Sequence, residues 1–278
     1  MAVTATIENT LGAVFLGLIG WAILFGAISI QVFLYYSNFP DDRRLQKIIV
    51  GALMAVSMVH LAFPIYTTYI SLISNFGNTN SQMAVSWIIK VQTSLDSAII
   101  LTVKGLYTWR VYTLGKHFSR MWSLVVVAVA AMGWAFGIAV SVEFNKIEEW
   151  NDIYRFRTLL FTSLAVLMTT DIVLAGSLCY YLHKSRSIYT RTNGVLVRIM
   201  HYAIVCGFFT SAFATANLIC ATTIPDTYVH IGIEYLLPRL HVFSYMSLLN
   251  ARKTVSERDD SSFNVSRMLN EISRFDSG

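Results

Sequence analysis

Seven long apolar stretches divide this chain, at about residues 11–36, 48–73, 83–109, 122–142, 158–182, 195–222 and 230–249. Few folds can absorb them. About twenty apolar residues at 1.5 Å rise cross a hydrocarbon core of roughly 30 Å, so each stretch is long enough to span a bilayer as a helix. A soluble domain carries roughly a quarter charged residues; here 13% are charged and 55% hydrophobic. That much apolar surface exceeds what one water-soluble core can bury, and lipid must cover the rest. The first stretch is long and has neither a basic leading segment nor a cleavage site, so it reads as a retained helix, not a signal peptide. The expected fold is all-α: a bundle of seven transmembrane helices over residues 1–253, then a tail over 254–278.

Loop charge sets the orientation. Arg43, Arg44 and Lys47 follow the first stretch, Arg110, Lys116 and Arg120 the third, Lys184, Arg186 and Arg191 the fifth, and Arg252, Lys253 and Arg258 the seventh. The N-terminus and the loops at 74–82 and 221–229 hold no Lys or Arg. Only the 143–157 loop breaks this pattern, with Lys146, Arg155 and Arg157 among Glu143, Glu148, Glu149 and Asp152. Lys and Arg gather on cytoplasmic loops, so the N-terminus is expected outside and the C-terminus inside, in the plasma membrane or an endomembrane. Arg43, Arg44, Arg110, Lys184, Arg186, Arg252 and Lys253 then act as cytoplasmic basic anchors, where a cytoplasmic partner could also dock. The net charge of +5 belongs to these short loops, which argues for topology and against nucleic-acid binding.

Cys179, Cys206 and Cys220 fall in or beside the apolar stretches, which argues against an external disulfide framework. The sequon at Asn264 lies in the expected cytoplasmic tail, where it stays unglycosylated. In that tail Val265, Met268, Leu269, Ile272 and Phe275 mark one helical face, the pattern of an amphipathic surface helix or of chance spacing in a flexible tail. The aromatic 143–157 loop reads as an interfacial anchor or as a lid over an outer pocket.

Charge inside the apolar stretches is the strongest functional signal, because a charge at the bilayer centre costs at least roughly 2.5–3.5 kcal/mol. Counting 1.5 Å per residue places Lys90 and Glu234 roughly 6–10 Å from the outer end. The same count brings His60, Asp96, Asp171, Arg239 and His241, from four helices, to one level near the middle. One reading is a buried ligand, ion or proton site, with Lys90 and Glu234 at its mouth. The other is a set of neutralising pairs, such as Asp96–Arg239 and Lys90–Glu234, that fix helix register. Pro64 and Pro238 would loosen helix hydrogen bonding nearby.

Sharper chemistries do not fit. The last stretch has no lysine for a retinal Schiff base. His230 and His241 stand roughly 16 Å apart along one helix, too far to share a metal ion, and neither H-E-x-x-H nor a P-loop occurs. Trp109-Arg110-Val111-Tyr112 lacks the acidic residue before Arg that G-protein-coupled receptors carry. No cofactor, metal or catalytic residue is expected.

One region is more specific. It runs from Asp171-Ile172-Val173-Leu174-Ala175 through Cys179-Tyr180-Tyr181-Leu182, Lys184-Ser185-Arg186, Arg191-Thr192, Val197-Arg198-Ile199-Met200 and Gly207-Phe208-Phe209-Thr210-Ser211. It continues through Ile224-Pro225-Asp226-Thr227 and closes at Ser247-Leu248-Leu249-Asn250-Ala251-Arg252. Over about 165–253 this resembles the domain of unknown function in a large family of seven-helix membrane proteins from mushroom-forming fungi. Lys104 departs from the Gln of that family's pattern. The resemblance implies a fungal multi-pass membrane protein and assigns no activity. The expected function is that of a receptor-like or sensor-like protein, no enzyme, binding a small or lipophilic ligand in the bundle. The alternative is a transporter or channel using the midplane residues as an ion or proton relay, and a membrane-embedded hydrolase is the remote third.

Overall fold

In lipid every backbone N–H and C=O must be satisfied within the segment, which leaves apolar stretches the choice of helix or closed barrel. The helix wins here. A computed structural model describes residues 12–74, 87–116, 118–147, 153–186, 193–224 and 227–252, and these contain helices and no strand. The helices are α1 (Ala13–Asn38), α2 (Arg44–Tyr69, extended by a π-turn over Ile70–Ser74), α3 (Trp87–Gly115) and α4 (Arg120–Lys146). They continue with α5 (Ile153–Arg186), α6 (Asn193–Thr223), α7 (Val229–Glu234) and α8 (Leu237–Asn250). Ser119 starts α4 by accepting the Trp122 N–H on its Oγ.

Five stretches are long and apolar enough to cross a membrane: Ala13–Asn38, Arg44–Tyr69, Arg120–Lys146, Thr158–Lys184 and Met200–Thr223. Their outer faces carry exposed Phe33, Leu45, Met121 and Phe208, a surface suited to lipid. Two of the seven expected spans differ from the rest. α3 carries Lys90, Asp96 and Lys104 within its length, and the seventh stretch is two short helices instead of one. Pro238 explains that division. Lacking an N–H, it cannot bond the Glu234 carbonyl four residues back; Tyr235 and Leu236 keep helical dihedrals, but Leu236 N–H bonds Ile233 O, three residues back, so the regular ladder is interrupted there. Pro64 has no such effect, because α2 stays helical across it.

Several ends also move. α3 runs on to Gly115, α4 to Lys146, and α5 begins at Ile153, so the expected 143–157 loop shortens as polar residues extend the helices beyond the apolar lengths. The tail with its sequon and amphipathic stripe lies outside the described residues, as does the middle of that loop.

Consecutive helices pack side by side from α1 to α6, and α7–α8 close the circuit against both α6 and α1. α3 is central and touches α2, α4, α5 and α8. One contact depends on glycine. A Cβ on Gly17 of α1 would lie 2.5 Å from the Gly232 carbonyl oxygen of α7, so two glycines let the backbones meet, as small residues do between membrane helices. Below this the core is apolar, with Ile28, Val50, Val103, Val242 and Met246 at its centre.

Candidate functional site

α8 presents two buried polar residues two positions apart, and each meets a carboxylate from a different neighbour. Arg239 is 1% exposed. Its Nη1 donates to Asp96 Oδ1 of α3 at 2.6 Å, its Nη2 meets His60 Nδ1 of α2, and its guanidinium lies 4.0 Å from the Trp21 ring centre of α1. His60 Nε2 is 3.1 Å from the Gln92 backbone oxygen and 3.6 Å from Asp96 Oδ1. This cluster therefore ties α1, α2, α3 and α8 together.

The second cluster binds α3, α5 and α8. His241 Nε2 lies 3.3 Å from Asp171 Oδ2, while its Nδ1 is 2.8 Å from its own helix's Leu237 carbonyl oxygen. Lys104 completes the cluster. Its Nζ is 1% exposed as a residue, pairs with Asp171 Oδ1 at 2.9 Å and donates to the Leu167 carbonyl at 2.8 Å. Beside Asp171 and His241 opens a small cavity that also reaches Tyr107, Thr210 and Ser244. The space it offers a water-sized group is about 30 Å³, and its lining is mostly apolar.

The five midplane residues thus meet, but as two groups and not one. Of the two residues expected at the mouth, Glu234 lies within electrostatic reach of Asp96. Glu234 is exposed at the end of α7, Lys90 is half-buried on α3, and among the described residues no ion pair links them. Lys104 was the residue missed. It lies eight positions, just over two turns, beyond Asp96 on the same helix, and that spacing was the available signal.

At the basic end of the bundle, Asp42 accepts from Arg252 Nη2 and from the Tyr35 hydroxyl, each at 2.8 Å, and Arg252 lies 4.5 Å from the Phe39 ring centre. Burial pushes the Asp42 carboxyl up, but the hydrogen bonds from Arg252 and Tyr35 outweigh it and hold the group below the usual aspartate range. Lys184 sits 5.4 Å from the Phe118 ring centre, and Arg43 and Arg44 are exposed where α2 starts. Arg110 is partly buried, with no hydrogen-bond partner for its Nη1. Arg186 ends α5, and Lys253 lies outside the described residues. Among the described residues no three His, Cys, Asp or Glu gather as a metal site.

These features define a protein whose described residues are helical, with five helices long and apolar enough to cross a membrane and a core of paired ionisable groups around its last helix. Residues 167–254 match a family of unknown function (DUF6534). That stretch includes Asp171, Arg239 and His241, whereas their partners His60, Asp96 and Lys104 lie before it. No curated protein and no solved structure matches the chain.

Proposed function

We propose that this chain is a receptor-like or sensor-like protein of seven membrane crossings, without catalytic activity, from the fungal seven-helix family it resembles. Its N-terminus faces outward and its basic end the cytoplasm, in the plasma membrane or an endomembrane. The circuit of helices closed by α7–α8 supports seven crossings, with α3 and the broken helix tolerated because their charges pair inside.

One observation carries the ligand reading. Around Arg239, three buried polar atoms have no hydrogen-bond partner: Trp21 Nε1, Gln92 Oε1 and Arg239 Nε. Two are donors and one is an acceptor. Buried groups of this kind are normally satisfied, and each exception calls for water or ligand. A small polar molecule with an acceptor and a donor answers all three, next to a broken helix free to respond. The test is thermal unfolding of the full chain in detergent against short alcohols, amides, carboxylic acids, sterols and phospholipids. Some member of the small polar set should raise the midpoint by mass action, and Trp21→Phe should abolish that rise. A flat response across the panel sinks the reading.

The water-sized cavity beside Asp171 and His241 favours a second reading, a proton or ion relay in a transporter or channel. Proteoliposome flux that disappears in both Asp96→Asn and Asp171→Asn supports it, and absence of flux in the parent chain removes it.

A further inference from the structure

The imidazole of His241 lies between two groups that only accept hydrogen bonds. Nδ1 faces the Leu237 carbonyl oxygen at 2.8 Å, and Nε2 faces the two oxygens of the Asp171 carboxylate at 3.3 and 3.4 Å. Each ring nitrogen therefore needs a hydrogen, yet a neutral imidazole carries one. With the Nδ1 hydrogen committed to Leu237, a bare Nε2 would aim its lone pair at a carboxylate. One additional proton removes the conflict. It turns the ring into an imidazolium, or it makes Asp171 a carboxylic acid that donates to Nε2.

We propose that Asp171 and His241 form a proton-binding site that holds one shared proton and exchanges it through water in the adjoining cavity. The cavity reaches both residues and is large enough for a water. Tyr107 and Ser244 also line it, and their hydroxyls are hydrogen-bonded to each other at 2.6 Å. A hydronium entering there gives its proton to the pair and leaves as water, so no other reactant is needed. The surrounding groups are accounted for. α3 contributes Lys104 and Tyr107, α5 contributes Asp171, and α6 contributes the uncharged Thr210. On α8 itself the nearest charge is Arg239, which is paired with Asp96 of α3 beside His60 of α2. With the proton bound, Lys104, Asp171 and His241 sum to one positive charge; without it they sum to zero.

That charge count supplies the test. Asp171→Asn keeps an acceptor for Lys104, offers an amide hydrogen to a neutral His241, and leaves one positive charge, the same as the protonated parent. If the proton sits on Asp171, the full-chain Asn variant in nanodiscs unfolds at nearly the parent's temperature and Asp171→Leu well below both; if it sits on His241, the Asn variant loses the carboxylate between two cations and falls toward Asp171→Leu. A loss as large as that of Asp171→Leu means that Asp171 is ionised in the parent, and together with a His241 ring carrying one proton it overturns the proposal. Nitrogen NMR of ¹⁵N-histidine protein, assigned with His241→Gln, adds a second readout beside the carboxyl infrared band of Asp171. Either both ring nitrogens carry protons or Asp171 shows an acid C=O stretch. A neutral ring facing an ionised Asp171 overturns the site. The proposal deepens the relay reading but needs no transport, so absence of flux removes the relay while leaving these measurements to decide the proton.

Discussion

At the scale of single residues, buried charge governs this protein. Arg239, Lys104 and their carboxylates have left water, so each is tolerated only while its partner stays. Arg239→Met strands Asp96 inside the bundle and should cost about 3–5 kcal/mol, whereas the double change with Asp96→Leu should recover most of that loss. Unfolding in detergent of the two single variants and the double one measures it, and a double variant no better than Arg239→Met contradicts the pairing. The charged types at these positions were visible in the chain, and so was their common depth. Partner choice was not. Depth along a helix is a one-dimensional count, while the split into an Arg239 cluster and a His241 cluster depends on which way each helix is rotated. Lys104 stood out in the chain only as a departure from a family pattern, since its place in the site rests on Asp171, 67 positions away.

At the scale of elements, the last apolar stretch is the informative one. Its composition reads as one crossing, but Pro238 takes the donor from the Glu234 carbonyl and divides it. Pro238→Ala returns one backbone hydrogen bond worth about 0.5–1.5 kcal/mol, so amide exchange around the break should slow about two- to tenfold. Hydrogen-exchange mass spectrometry reads this directly, and unchanged exchange would mean that packing, not proline, divides the helix. Proline alone did not decide the matter in advance, because Pro64 sits within a continuous α2. The difference lies in context: α2 has full turns on both sides of its proline, while the seventh stretch has only the short α7 before the break.

At the scale of the whole molecule, the circuit closes where α1 meets α7 and α8. Gly17→Ala would press a methyl group against the Gly232 backbone and should cost about 1–3 kcal/mol. Gly26 lies on the same helix with open space beside it, so Gly26→Ala should be neutral or gain up to about 1 kcal/mol. Thermal midpoints of the pair separate close packing from simple helix propensity. Orientation is tested at the same scale. A glycosylation acceptor fused to the N-terminus should be modified and one fused after the last helix should not, and the reverse pattern would invert the topology.

Composition and loop charge by themselves determined the class of environment, because no aqueous core can bury this much apolar surface and no other solvent explains it. They also determined where helices had to run, since lipid leaves the backbone of an isolated stretch no other way to satisfy its hydrogen bonds. The tertiary structure alone decided how the buried charges pair, that Lys104 belongs with Asp171, that Glu234 and Lys90 make no ion pair with each other, and that His241 lies between two acceptors. Those are facts of rotation and neighbourhood around each helix, set by close packing between segments far apart in the chain.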